Sequence, residues 1–218
     1  ASPVNAIIHS NCKPVLCDIS LDTACIDEDK IEKLISKKTK AIIAVHLYGH
    51  SCNMKKIKKI AKKYKLLIIE DSAEAFGTKY LNEHVGYTSD ASTFSFFGNK
   101  TLTTGEGGMV SFKLKKNYHK ANILRDHGMS KTKKYWHQEV GFNFRLTNLQ
   151  SAIGCAQLER ANSFIQHKRK LAKLYKKHLN SLNIFEFPHE RHYCYHSYWL
   201  YTVKLKKRFT NIKYNLIN

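Results

Sequence analysis

Lys100 is the residue whose setting most suggests chemistry. It lies in Ser95-Phe-Phe-Gly-Asn-Lys-Thr-Leu-Thr-Thr-Gly-Glu-Gly-Gly-Met109, where an apolar strand gives way to a lone lysine and then to a turn carrying three glycines. A lysine amine can form a Schiff base with a carbonyl. Upstream, Leu66-Leu-Ile-Ile-Glu-Asp71 reads as a second buried strand that delivers a carboxylate at its own carboxyl end. The two residues together suit pyridoxal phosphate: the lysine holds the aldehyde, and the aspartate keeps the pyridine nitrogen protonated so that the ring accepts electrons.

Each residue also has a plainer use. Lys100 could be one more solvated lysine, and Asp71 could cap a following helix. Gly105, Gly107 and Gly108 could simply supply positive-φ positions between two strands. The segment Gly98-Asn-Lys-Thr101 lacks the Gly-Lys-Ser/Thr order of a nucleotide-binding P-loop, which excludes that reading. His46, His50 and Cys52, like His189, His192, Cys194 and His196, resemble metal ligands by type alone. Gly49 interrupts any helical histidine face, and neither set has a four-ligand spacing, so no metal site is expected. Arg145 is either a structural ion-pair partner or an anion ligand.

The elements that must position Lys100 and Asp71 are read from periodicity. Val4 to His9 is predicted as a short helical piece and Lys13-Pro-Val-Leu-Cys-Asp18 as a strand. Asp27 is a good N-cap for a helix with Glu28 and Asp29 in its first turn and Ile31, Leu34 and Ile35 as its buried stripe. Ala41-Ile-Ile-Ala-Val45 is an apolar strand of the kind found in a parallel sheet covered on both faces. Met54, Ile57, Ile60, Ala61 and Tyr64 repeat at helical spacing. Alternation of strand and helix implies a doubly wound α/β sheet whose ligands gather beyond the carboxyl ends of the strands. Ala91-Ser-Thr-Phe-Ser-Phe96 and Met109-Val-Ser-Phe112 are two further strands, followed by a helix over Asn117 to Arg125. His127 to Arg145 is polar, aperiodic and glycine-punctuated, which reads as a functional or interface loop. Helical periodicity returns from Leu146 and leads into a long basic helix. The aromatic run Tyr193 to Val203 is predicted as strand.

With 218 residues and 43% hydrophobic content, the chain can build one large domain and part of another. No apolar run approaches the ~18 residues of a membrane span, and the first residues lack the features of a signal peptide. A cytoplasmic protein with six reduced cysteines is therefore expected. The balance of 37 Lys+Arg against 17 Asp+Glu, a net charge of +20, raises the alternative of a basic module for nucleic acid or another polyanion. The lysines are spread over helix faces without a nucleic-acid motif or a stacking platform, which points instead to a solvated surface that attracts a phosphorylated substrate.

Placed in order, several pieces carry a resemblance. They are Lys13-Pro-Val with Asp18-Ile19, Val45-His-Leu-Tyr-Gly49, Ile69-Glu-Asp-Ser-Ala-Glu-Ala75, Ser95 to Gly108, Arg125-Asp-His-Gly128 and Gly141-Phe-Asn-Phe-Arg-Leu-Thr-Asn-Leu-Gln150. The chain resembles, nearly end to end, the DegT/StrS group of pyridoxal-phosphate-dependent sugar aminotransferases, and within it the perosamine synthase branch, which aminates a GDP-linked 4-keto-6-deoxy sugar. The resemblance implies the fold-type-I transferase architecture: a mainly parallel sheet with helices on both faces, followed by part of a smaller α+β domain. Residues 1–160 would form the large cofactor-binding domain without its N-terminal part, and 161–218 the connecting helix and the start of the small domain. It also implies glutamate as amino donor, no membrane or nucleic-acid partner, and a homodimer with shared active sites. Lys100 would form the Schiff base and move the proton, Asp71 would pair with the pyridine nitrogen, and Glu74 would sit near the ring. Ser95 would bind the cofactor phosphate, and Asn143 would reach the phosphate in the neighbouring subunit. A related branch that dehydrates sugars with the same cofactor resembles this sequence with histidine at the lysine position, which counts against that alternative. The group's N-terminal phosphate loop and ring-stacking aromatic residue have no counterpart after Ala1.

Overall fold

A computed structural model describes residues 1–212. Its central sheet has the order β1-β2-β5-β6, formed by Ala41–Val45, Leu67–Asp71, Ala91–Ser95 and Gly108–Phe112. The first three strands run parallel, and β6 returns antiparallel to β5. Helix α1 spans Ser2–His9, and α2, only four residues long, spans Glu28–Ile31. The predicted cap on α2 is present, with the Asp27 carboxylate accepting from Asp29 N at 3.1 Å. Helix α3, Met54–Tyr64, is the crossover between β1 and β2. Asn53 caps it by accepting from Lys56 N at 3.4 Å, and Lys65 ends it in the left-handed conformation at φ 54°.

The helical repeat buries Met54, Ile57, Ile60 and Ala61 against Ile42, Ala44 and Ile68 of the sheet. Each fully buried isoleucine contributes roughly 1.5–3 kcal/mol relative to exposure. The basic face of α3 turns outward, where Lys56 meets Glu28 and Asp29 and Lys63 meets Glu32. Because side chains alternate along a strand, the register that pairs Ala44 with Glu70 puts those residues on the α3 side. The pairing of Asp71 with Thr93 puts both on the opposite face, and Ser95 follows two residues later on that face.

Three predicted elements differ, the first being the helix that Asp27 caps, which is α-helical only to Ile31 and leaves Leu34 exposed. Lys13 to Asp18 forms no strand; a single bridge joins Ile19 to Ile26, and Val15 and Leu16 stay exposed, because no neighbouring strand among the described residues pairs with the segment. After β2, where no element was predicted, the chain makes the short hairpin β3 (Lys79–Tyr80) and β4 (Glu83–His84). The run Tyr193 to Val203 contributes only Cys194–Tyr195, β8, which pairs with β3. Ser197 N then donates to Gly49 O at 3.1 Å, and Tyr198 turns to φ 50°, which takes the chain out of the ladder.

The lower half of the chain is helical as predicted. Helix α4 spans Lys115–Leu124, α5 Asn148–Glu159 and α6 Ala161–Leu179. Thr147 and Gln150 form a reciprocal capping box at the start of α5. Between α4 and α5 the passage is irregular, with bridges Asp126 to Asn143 and Met129 to His137. Strands β7 (Phe185–Glu186) and β9 (Lys204–Leu205) form a separate antiparallel pair. Among the described residues no helix is long and apolar enough to cross a membrane.

Candidate active site

Asp71 ends β2 on the sheet face opposite α3. Its Oδ1 accepts from Ala73 N at 3.0 Å and from Thr93 Oγ1 at 3.4 Å, while Oδ2 has no partner among the described residues. The alternative use of Asp71 as a helix cap is removed, since residues 72–78 are turns: Ala75 N reaches Ser72 O, and Thr78 N reaches Ala75 O, each at 3.0 Å. The carboxylate is thus aimed by its own turn and by the adjacent strand, with one oxygen open to a donor.

Ser95 ends β5, where its Oγ accepts from Phe97 N at 3.3 Å. The chain then closes two turns. Lys100 N donates to Phe97 O at 3.0 Å, and Thr104 N returns to Phe96 O at 2.9 Å. Of the three glycines, Gly105 and Gly107 have positive φ, at 79° and 147°. Gly108 lies instead in β6, so close to Phe94 O that a Cβ would stand 2.8 Å away. Lys100 is half-buried and has no carboxylate partner among the described residues; its Nζ lies 4.0 Å from the centre of the Trp199 ring.

Glu74 sits in the turn after β2 with Oε2 accepting from Tyr48 N at 2.9 Å, and Tyr48 is held at φ 57°. Asn143 is exposed on the irregular passage, paired through its backbone with Asp126. Arg145 beside it contacts Asp126 at 3.3 Å, so the ion-pair use of that arginine is present. Asp71 ends β2, Ser95 ends the adjacent β5, and Lys100 follows Ser95 by five residues in the turn beyond it, while Asn143 is exposed on the irregular passage.

Two features escaped sequence reasoning. One is Trp199, hidden in an aromatic run whose alternation reads as strand. The other is a buried pair under the site: His46 Nε2 donates to Glu70 Oε2 at 2.8 Å, and His46 Nδ1 accepts from Cys52 N at 3.0 Å. Gly86 N adds a second donor to Glu70 at 2.8 Å. Burial pushes the Glu70 carboxyl up, but the bonds from His46 and Gly86 outweigh it and hold it below its ordinary value. Both His46 nitrogens are committed to this network, and both His50 nitrogens are likewise bonded, to Ser51 O and Arg191 N.

The residues present fit an aldehyde cofactor with a basic ring nitrogen and a phosphate. An amine without an acidic partner, a carboxylate with one free oxygen and a hydroxyl at a strand end are the donors and acceptors such a molecule requires.

Comparison with known proteins concerns the chain as a whole. The profile of the DegT/DnrJ/EryC1/StrS aminotransferase family matches residues 1–218. GDP-perosamine synthase of Escherichia coli O157:H7 is 46% identical over 200 residues, covering 92% of this chain and 54% of that protein. The enzyme of the same name from Caulobacter vibrioides is 43% identical over 202 residues, again 92% and 54%. Among solved structures, Helicobacter pylori PseC, an aminotransferase involved in the biosynthesis of pseudoaminic acid, superposes with a TM-score of 0.91 at 33% identity, over 96% of this chain and 57% of that one. This chain thus spans about half the length of the relatives it matches. With the profile spanning its whole length and the fold shared with solved aminotransferases, the chain belongs to the DegT/DnrJ/EryC1/StrS aminotransferase family.

Proposed function

We propose that this chain forms the cofactor-binding part of a pyridoxal-phosphate-dependent aminotransferase that moves an amino group from glutamate to the keto carbon of a nucleotide-linked 4-keto-6-deoxy sugar, as in the synthesis of GDP-perosamine. The observation that carries this reading is that Asp71, with Oδ2 free, ends β2, and Lys100, with no carboxylate partner among the described residues, lies in the turn that follows the adjacent strand β5. Perosamine synthases at 43–46% identity support the substrate class. Residues 1–160 act as the large domain; of the 161–218 segment assigned to the connecting helix and small domain, 213–218 lie outside the described residues.

Bound pyridoxal phosphate supplies an electron sink for the bond broken at the amino donor's Cα. The chain supplies position and proton transfer. Lys100 Nζ, as a free amine, takes the Cα proton and gives it up again. Asp71 Oδ2 would hold the proton on the pyridine nitrogen, because a carboxylate beside a basic nitrogen favours its charged form. Ser95 would donate to the cofactor phosphate, and Glu74, fixed by Tyr48, would serve the ring. Asn143 completes the site of a second copy in a homodimer. That assembly is supported by the apolar side chains flanking Asn143: Phe142 and Phe144 stack at 4.9 Å yet are 54% and 70% exposed, and Val140 is 91% exposed. A cytoplasmic setting belongs to the same reading and agrees with six free cysteines.

The test uses the full-length protein. Borohydride reduction in the presence of pyridoxal phosphate should label Lys100, and a panel of nucleotide 4-keto sugars with glutamate should yield an amino sugar from the GDP-linked member. In Lys100→Ala both label and turnover should vanish, a positioned acid-base group alone contributing ~10²- to 10⁴-fold. Labelling elsewhere with full activity in the variant would overturn the assignment.

A further inference from the structure

Trp199 grips the lysine turn at two points. Its ring face lies 4.0 Å from Lys100 Nζ, and its Nε1 donates to the carbonyl of Asn99, the residue just before the lysine, at 2.9 Å. The tryptophan comes from 99 positions further along the chain, from the segment that leaves β8, so nothing local in sequence enforces the contact.

Its mounting is stiff. The Trp199 carbonyl accepts from Lys168 Nζ at 3.1 Å. Tyr198 N donates to His196 Nδ1 at 2.9 Å, and the rings of those two residues stack at 3.9 Å. Arg169 donates to His196 O at 2.6 Å and pairs with Glu190 at 2.7 Å, tying the segment to α6. On the other side Gly49, at φ 98°, passes so near that a Cβ would stand 3.0 Å from Trp199 N. A side chain at position 49 would collide with Ser197 Oγ and with the backbone of Tyr198 and Trp199.

An aromatic face attracts a cation and not a neutral amine, and tryptophan does so most strongly, by an amount that corresponds to roughly 2- to 30-fold in an equilibrium or rate. Among the described residues Lys100 has no carboxylate to take that role. We propose that Trp199 is a positioning residue for Lys100: its ring holds the ammonium that Nζ becomes on accepting a proton, and its N–H fixes the turn from which the lysine projects. No electrons move in this step; Nζ gains one proton as a base and later loses it as an acid. The inference rests on the reading of Lys100 as proton carrier.

Two measurements on the full-length protein test it. The first needs no cofactor: with Trp136 and any tryptophan outside these 218 residues replaced by phenylalanine, Trp199 is the one that emits, and its emission should change when Lys100 is replaced by methionine. The second compares Trp199→Phe, which keeps a ring face, with Trp199→Leu, which does not. Leucine should slow turnover roughly 2- to 30-fold and phenylalanine should recover most of that loss, with borohydride trapping at Lys100 complete in both. Emission indifferent to Lys100→Met, or equal rates in the leucine and phenylalanine variants, would overturn the inference while leaving the aminotransferase reading intact. Absence of trapping at Lys100 in the unsubstituted protein would instead overturn that underlying reading.

Discussion

Glu70 and Asp71 are neighbours in sequence with opposite fates. The strand alternation sends Glu70 down to His46, where both are buried, and Asp71 up to the face that carries Thr93. The lower carboxylate is fully buried, its Oε2 taking two donors and its Oε1 left without a partner among the described residues. The upper one is only partly buried, with Oδ2 free to meet a donor from outside the chain. That asymmetry yields a substitution with separable effects. Asparagine at position 71 can still accept from Ala73 N and Thr93 through its carbonyl oxygen, so Asp71→Asn should leave the thermal midpoint nearly unchanged. It cannot stabilise a protonated ring nitrogen, and the rate of amino transfer from glutamate should fall on the order of 10²-fold, the usual loss when one preorganised electrostatic group is removed. Single-turnover cofactor absorbance in full-length protein measures it. An unchanged rate in the folded variant would mean that Asp71 does not face the ring.

At the scale of elements, legibility followed how local the stabilising interactions are. Helix α3 was readable because its stripe of Ile57, Ile60 and Ala61, its Asn53 cap and the apolar strands on either side all lie within thirty residues. Lys13 to Asp18 has strand composition, but a strand needs a partner, and the segment finds one bridge only. Tyr193 to Val203 failed for the opposite reason. Its aromatic alternation is genuine, yet distant groups decide its path: Gly49 O and Thr78 hold Ser197, and Arg169 holds His196. The placement of Asp71 at the end of β2 and of Lys100 just beyond β5 was legible because both strands are local apolar runs, whereas Trp199 arrives from outside the sheet. The same segment predicts an acid response. His196 is pushed down to about 3 by burial first, then by the charges of His50 and Arg169, against an ordinary value of 6.5. Between roughly pH 3 and 6.5 the folded protein therefore binds fewer protons than the unfolded chain, so this contribution is complete above about 6.5 and is lost as pH falls. The thermal midpoint of the full-length protein should drop across that window, and His196→Gln should flatten the slope. Equal slopes in the two proteins would show that His196 is not buried in its neutral form.

For the whole molecule, the placement of Asn143 is decisive. It lies on an irregular passage beside exposed Phe142 and Phe144, which no other part of the described chain covers, while Lys100 projects at the sheet's strand ends. If Asn143 serves the phosphate of a second copy, each active site takes its lysine from one chain and its asparagine from the other. A two-fold dimer repeats that exchange symmetrically. Full-length Lys100→Ala and Asn143→Ala proteins should each be poorly active for different reasons. Dissociated, mixed in equal amounts and reassociated, they should give hybrids in half of the dimers. In every hybrid one site lacks both residues and the other has both, so activity should return to about a quarter of the unsubstituted level. Recovery no greater than the sum of the separate variants, with hybrids confirmed by mass, would place Asn143 in its own chain's site or in none. Full activity of Asn143→Ala alone would remove it from the cofactor's surroundings and leave the aromatic pair as an interface without a catalytic share.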